Sequence, residues 1–134
     1  VLNDPLVRAF EAGAVDGTNF HHRDHLYVAW CYLKDLPLEE VVPRYTKHLR
    51  NLACKLGVPQ KYHATISWAY LILLDRAMHD PDLSNKDLDA VLKKYPSLLD
   101  RDRGMLAEYY DKAELNSPEA RERFVLPRPR NRNS

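Results

Sequence analysis

The sequence predicts an all-α protein, a compact bundle of five to seven helices around a single core. Three observations point there. Apolar residues recur at spacings of three and four through most of the chain, proline and glycine punctuate those runs at intervals of helix length, and no alternating strand pattern of useful length occurs. A chain of 134 residues suits one domain, expected over 1–126. The basic, proline-containing end, 127–134, is expected to be a disordered tail.

The first helix is short. Asn3-Asp4-Pro5 offers a cap followed by a first-turn proline, and Leu6, Phe10 and Ala14 then recur at helical spacing. Gly13 and Gly17 bracket a loop into a second helix, which carries His22, His25, Leu26, Ala29 and Leu33 on one face and stops before Pro37. Pro37 with Glu39 and Glu40 opens a third helix, with Leu38, Val41, Tyr45, Leu49, Leu52 and Leu56 on one side and Gly57 at its end. Pro43, early in that helix, predicts a late start or a mild bend.

The most apolar stretch, Ile66 to Leu74, lies in a helix expected from about Lys61 to Met78. Its all-round apolar character marks a central, enclosed element. Asp80-Pro81 breaks it, and Ser84 is the expected cap of a helix carrying Leu88, Val91, Leu92 and Tyr95. A turn around Leu98, a helix from about Arg103 to Lys112 and a last turn opened by Ser117-Pro118-Glu119 complete the expectation.

Composition narrows the function. Hydrophobic residues make up 45% and charged residues 29%, with a net charge of +1, so no basic surface argues for nucleic acid. No apolar run reaches the roughly 18 residues a membrane span requires. No charged-then-apolar leader precedes the first helix, so a cytoplasmic protein is expected, and the opening Val1 reads as a chain trimmed at its start. Cys31 and Cys54 fall among apolar neighbours in helical patterns and read as free thiols. Four glycines, none clustered at a helix start, leave no phosphate-cradling loop, so no nucleotide cofactor is expected.

The chemistry concentrates in histidine. His21, His22 and His25 stand together at the start of the second helix, and His22 and His25 share its apolar face. His63, Ser67, Tyr70 and Leu74 form a partly polar stripe on the central helix. Were the two helix ends to meet, His22, His25 and His63 would make a three-imidazole site suited to zinc or iron, with His21 replacing His22 as an alternative ligand. The same residues could instead act as acid–base groups, or be structural histidines bonded to backbone, since no HExxH, CxxC or Glu-x-x-His pattern supports a metal. His48 could join the site from the edge of the third helix, and His79 reads as a surface residue favouring a helix end. Asp24 reads as a helix-start carboxylate or an orienter of an imidazole. Arg44, Tyr62, Thr65 and Tyr70 are candidate donors, and Trp30, Trp68, Tyr109 and Tyr110 are expected to pack.

Phe20, His22-x-x-His25-Leu26, Ala29-Trp30-x-Tyr32-Leu33, Tyr62-His63-x-Thr65-Ile66 and Ala120-Arg121-x-x-Phe124-Val125-x-Pro127 together resemble a widespread family of small bacterial helical proteins. The match covers most of the chain. The resemblance implies no settled activity, but its His, His-x-Thr and Arg-x-x-Phe elements imply a shared pocket; it adds Arg121 to Tyr62, Thr65 and Tyr70 as substrate-binding candidates. In that pattern the residue after the central histidine is usually Glu, the natural general base; here it is Ala64. Arg121 could clamp a carboxylate in the pocket or tie the last turn to the bundle.

The leading expectation is a small enzyme acting on a small-molecule substrate in a histidine-lined pocket, with metal dependence open. Two alternatives stand beside it. One is a non-catalytic small-molecule-binding or accessory protein, which the absence of glutamate at Ala64 favours; the other is a protein-interaction module using the basic tail and a helix face.

Overall fold

The computed structural model describes residues 1–100 and 105–129, and within them the chain is all-helical. Seven α-helices appear: α1 (Pro5–Ala12), α2 (His22–Asp35), α3 (Leu38–Lys55), α4 (Ala64–Met78), α5 (Leu88–Lys94), α6 (Lys112–Asn116) and α7 (Pro118–Glu122), with 3-10 turns at Pro59–Lys61, Pro96–Leu99 and Met105–Glu108. Among the described residues no helix is long and apolar enough to cross a membrane.

Local chemistry sets most boundaries. The Asp4 carboxylate accepts from the Leu6 amide at 2.8 Å, Pro5 starts α1, and Gly13 closes it in the left-handed region at φ 67°. Gly57, at φ 77°, follows α3 in the same conformation. Pro43 is accommodated inside α3 rather than delaying its start. Asp87, not Ser84, caps α5: its carboxylate accepts from the Ala90 amide at 2.9 Å, so that helix begins later than predicted. The helix expected near Arg103 to Lys112 is replaced by the 3-10 turn at Met105–Glu108, with Arg103 itself outside the described residues. There the capping box of Asp111 and Glu114 starts α6 afresh.

Helix α4 is the central element, as its all-round apolar sequence predicts, and it packs against α2, α3 and α7. Leu71 and Leu74 are fully enclosed. Phe10 of α1 is the hub on the other side, stacked on Tyr45 at 5.2 Å and edge-on to Tyr32 at 6.5 Å. Above that aromatic cluster Glu11 accepts from the Tyr32 hydroxyl and from Arg44 at 2.8 and 3.2 Å. Burial acts to raise the Glu11 carboxyl, but the Arg44 and Tyr32 donors outweigh it and hold it below the ordinary range. Arg44 and His48, which lies 3.6 Å from the same carboxylate, are therefore engaged at the α1–α3 junction.

The C-terminal segment folds back as a clasp. After α7 it runs extended, with Phe124 stacked on Trp68 at 5.0 Å and Val125 O accepting from the Tyr110 hydroxyl at 2.6 Å. The docked segment continues past the expected boundary at residue 126. The Arg128 amide donates to Glu114 at 2.8 Å and its guanidinium to Asp111 at 3.1 Å, so the start of the predicted tail is held by carboxylates, and residues 130–134 lie outside the described residues.

The two cysteines differ. Cys31 is wholly enclosed in α2 and burial pushes its thiol up to about 11, whereas Cys54 is exposed on α3 rather than sitting among apolar neighbours. Iodoacetamide at about pH 8 should therefore alkylate Cys54 alone in the native protein and reach Cys31 only in denaturant. Peptide mass mapping that found both modified under native conditions would contradict this burial.

Candidate functional site

The start of α2 decides which histidine turns inward. His21 is the residue before the helix, is exposed, and gives its amide to the Asp24 carboxylate at 2.9 Å, so Asp24 serves the helix start. His22 and His25, three residues apart within the helix, lie on the same side and face the core. His21 is thus not a wall residue.

His63 reaches the same place from the other direction. It precedes α4 in extended conformation, φ −135° and ψ 110°, and not in the helix's first turn as the stripe of spacing implied. Its Nδ1 accepts from the Ile66 amide at 3.1 Å, and its Nε2 lies 2.6 Å from Leu115 O. An amide can only donate and a carbonyl can only accept, so this ring is the neutral imidazole with its proton on Nε2. His63 is 5% exposed, and the two bonds explain why an imidazole tolerates that burial.

Between α2, the C-terminal half of α3, the turn at Pro59–Lys61 and the start of α4 lies a cavity of about 250 Å³. Its walls bring together all three predicted histidines, His22, His25 and His63, with Tyr62, Ser67 and Tyr70. Leu26, Leu49, Leu52, Ile66 and Leu71 supply the apolar surface, and Phe20 and Tyr45 complete the aromatic part. Gly17, Leu56 and Lys61 are exposed and form the rim. At Gly17 a Cβ would stand 3.0 Å from Leu56 Cδ1, so the glycine lets the preceding loop close onto that leucine.

The polar groups of the wall are held in defined positions. His22 Nε2 donates to Leu98 O at 2.8 Å and its ring packs edge-on to Tyr70 at 4.9 Å, while the Tyr70 hydroxyl donates to Asp100 O at 2.8 Å. His25 packs against Phe20 at 4.4 Å, and its Nδ1 is 3.4 Å from the Tyr45 hydroxyl. Tyr62 lies against the Arg50 guanidinium at 4.7 Å; burial raises its phenol and the nearby arginine opposes that rise. Among the described residues no Asp or Glu lines the cavity, and Lys61 is the single lysine or arginine on it.

Two substrate-binding candidates lie elsewhere. Thr65 is fully enclosed, and its hydroxyl donates to Arg123 O at 3.0 Å and accepts from the Val125 amide at 3.1 Å. It belongs to the clasp, one residue pair beyond His63. Arg121 is exposed on α7 and is not part of the wall. Ala64, at the first position of α4, is buried and also off the wall. His79 is exposed at the end of α4, bonded to Asp75 O at 2.8 Å, as expected of a helix-end residue.

Phe20 stands in the motif that carries the resemblance; the wall residues without a site reading in the sequence are Tyr45, Lys61 and the leucines of α3. Tyr45, Leu49, Leu52 and Leu56 form the helical stripe already visible in the sequence; what was missing was that this stripe stops short of full packing against α4. The carbonyls of Leu98 and Leu115, which hold two of the imidazoles, carry no sequence signal.

Among the described residues no group of three or more His, Cys, Asp or Glu side chains is arranged to hold an ion, and both nitrogens of His63 are bonded to backbone groups. Comparison of the chain with family models, curated proteins and solved structures finds no match.

Proposed function

We propose that this chain binds a small organic molecule in the cavity between α2, α3 and α4, with the apolar walls supplying affinity and the imidazoles and tyrosine hydroxyls setting orientation. One observation carries the reading: His22 and His25 of α2 and His63 before α4, together with Tyr62 and Tyr70, line a single cavity of about 250 Å³ that opens at the rim formed by Gly17, Leu56 and Lys61. Membership in the bacterial helical family that the motifs resemble belongs to the same proposal. In it His63-x-Thr65 and the C-terminal Phe124-Val125 element build the clasp, while His22 and His25 face the ligand.

The test is a titration of isotope-labelled protein with pools of small neutral organic molecules. A saturable, one-to-one response at His22, His25, Ile66 and Leu71, abolished by filling the space with Ala53→Trp, is the expected result. Responses that survive the filling, or no response from any pool, would remove the reading.

A catalytic version is favoured by the His25 Nδ1 and Tyr45 hydroxyl, 3.4 Å apart on the wall, a pair suited to proton transfer. If the bound molecule is also converted, His25→Gln should abolish conversion while leaving its affinity within about tenfold. A zinc or iron version rests on the three histidines sharing one wall: His22 would ligate through Nδ1 and keep its Leu98 bond, while His63 would have to give up its Ile66 or its Leu115 bond. Elemental analysis of protein purified without an affinity tag, beside a His25→Ala/His63→Ala variant, decides it. About one ion per chain, lost in the variant, would carry it; no uptake after reconstitution would exclude it.

A further inference from the structure

We infer that the exposed face of α3 docks a short acidic segment of a partner protein, with Lys47, Arg50, Lys55 and Lys61 as its cationic contacts.

Charge is unevenly spread along the chain. Between Val41 and Leu74 there is no Asp or Glu, while Arg44, Lys47, Arg50, Lys55 and Lys61 are all cations, so these +5 leave −4 for the rest of a chain whose net charge is +1. Helix α3 turns most of that charge outward. Lys47, Arg50 and Cys54, spaced by three and four, form one exposed strip, with Asn51 and Lys55 beside it and Lys61 exposed on the 3-10 turn that follows. A cation in the last turn complements the carbonyl end of a helix, which accounts for Lys55 but not for Lys47 and Arg50 in mid-helix.

Two of the cations are held in advance. The Arg50 guanidinium lies over the Tyr62 ring at 4.7 Å, and Lys55 Nζ donates to Ala12 O at 3.3 Å. Ordering a long side chain beforehand reduces the entropy lost when an anion docks, and a guanidinium stacked on a ring keeps its N–H edge for a carboxylate. The same helix already shows the pairing. Arg44, one turn before Lys47, grips Glu11 of α1 through two nitrogens at 2.8 and 3.2 Å.

Extent selects the partner. From Lys47 to Lys55 the face runs only about 12 Å along the helix. Exposed acids border it: Glu39 and Glu40 at the start of α3, and Asp16 in the loop whose Gly17 closes onto Leu56. A nucleic acid strand or an anionic bilayer continues past these limits and meets those carboxylates within the roughly 10 Å over which charges act in salt. Leu56, exposed next to Lys55, offers a bilayer a single apolar anchor. A short run of Asp and Glu covers the basic face and ends there.

The experiment titrates the full chain with end-capped octaglutamate, and separately with octathymidylate and with vesicles of phosphatidylglycerol and phosphatidylcholine. Octaglutamate is expected to bind one-to-one at about 20 mM salt and at least about tenfold more weakly at 0.15 M or so. Because Cys54 lies on the same strip, its alkylation by iodoacetamide should slow by about fivefold at saturating peptide. Lys47→Glu/Arg50→Glu should weaken binding at least about tenfold, whereas Arg8→Glu/Lys112→Glu, the same charge change at exposed positions of α1 and α6, should stay within about twofold. Thermal melting checks that both variants are folded. No binding at the lower salt, an equal loss in both variants, or an unchanged Cys54 rate would overturn the docking face. Tighter binding of octathymidylate or of the vesicles would overturn the acidic polypeptide as its occupant.

Discussion

Replacing His63 by alanine is expected to lower the unfolding free energy by about 3 kcal/mol and the melting temperature by roughly 10 °C. Two losses add. The Ile66 amide loses the acceptor that caps α4, which costs about 1 kcal/mol, and Leu115 O loses its donor inside a buried contact, which costs about 1 to 3 kcal/mol. Asparagine at the same position can still cap but cannot span to Leu115. His63→Asn should therefore recover about 1 kcal/mol of the loss. Chemical denaturation measures both, and long-range proton–nitrogen spectra of the wild-type ring should report the Nε2–H form. A loss below about 1 kcal/mol for His63→Ala, or a ring protonated on Nδ1, would mean that His63 is not the pin this geometry makes it.

Thr65→Val is the second large effect and acts on a different part. Valine keeps the shape of threonine and removes only the hydroxyl that both donates to Arg123 O and accepts from the Val125 amide. Removing both bonds should cost about 2 kcal/mol. Because the lost bonds hold the extended segment, the cost should appear as local opening of the clasp. Tryptic cleavage at Arg121 and Arg123 should rise about thirtyfold in native buffer, and protection of the Val125 amide from exchange should fall by the same factor. Global destabilisation with unchanged clasp opening would make Thr65 an ordinary core residue.

These two residues explain how the sequence could be informative and still misassign parts. Helical periodicity puts His22 with His25, and Ser67 with Tyr70, on shared helix faces, and these line the cavity; His63 joins them from the extended residue before α4, which no helical spacing predicts. The apolar run from Ile66 to Leu74 located the central helix for the same reason. Thr65 was assigned to the pocket although its hydroxyl is spent on the chain's own C-terminal segment, and a contact between residues 65 and 125 leaves no periodic trace. The same holds for the Leu98 and Leu115 carbonyls. Backbone groups are identical at every position, so their use as partners emerges only when the chain is folded. The later start of α5 has a local cause: Asp87 competes with Ser84 for the cap, and the carboxylate wins at the residue directly before the apolar face.

Helix α6 and the cavity share one residue. His63 lies on the cavity wall and also holds Leu115.

The account depends most directly on whether the space bounded by His22, His25, His63 and Tyr70 is a binding site. The deciding measurement is the location of a molecule bound from the neutral pools, by intermolecular proton contacts to the methyl groups of Leu52, Ile66 and Leu71. Contacts to all three, lost in Ala53→Trp, are the predicted result. Contacts confined to surface residues, or none from any pool at saturating concentration, would contradict it.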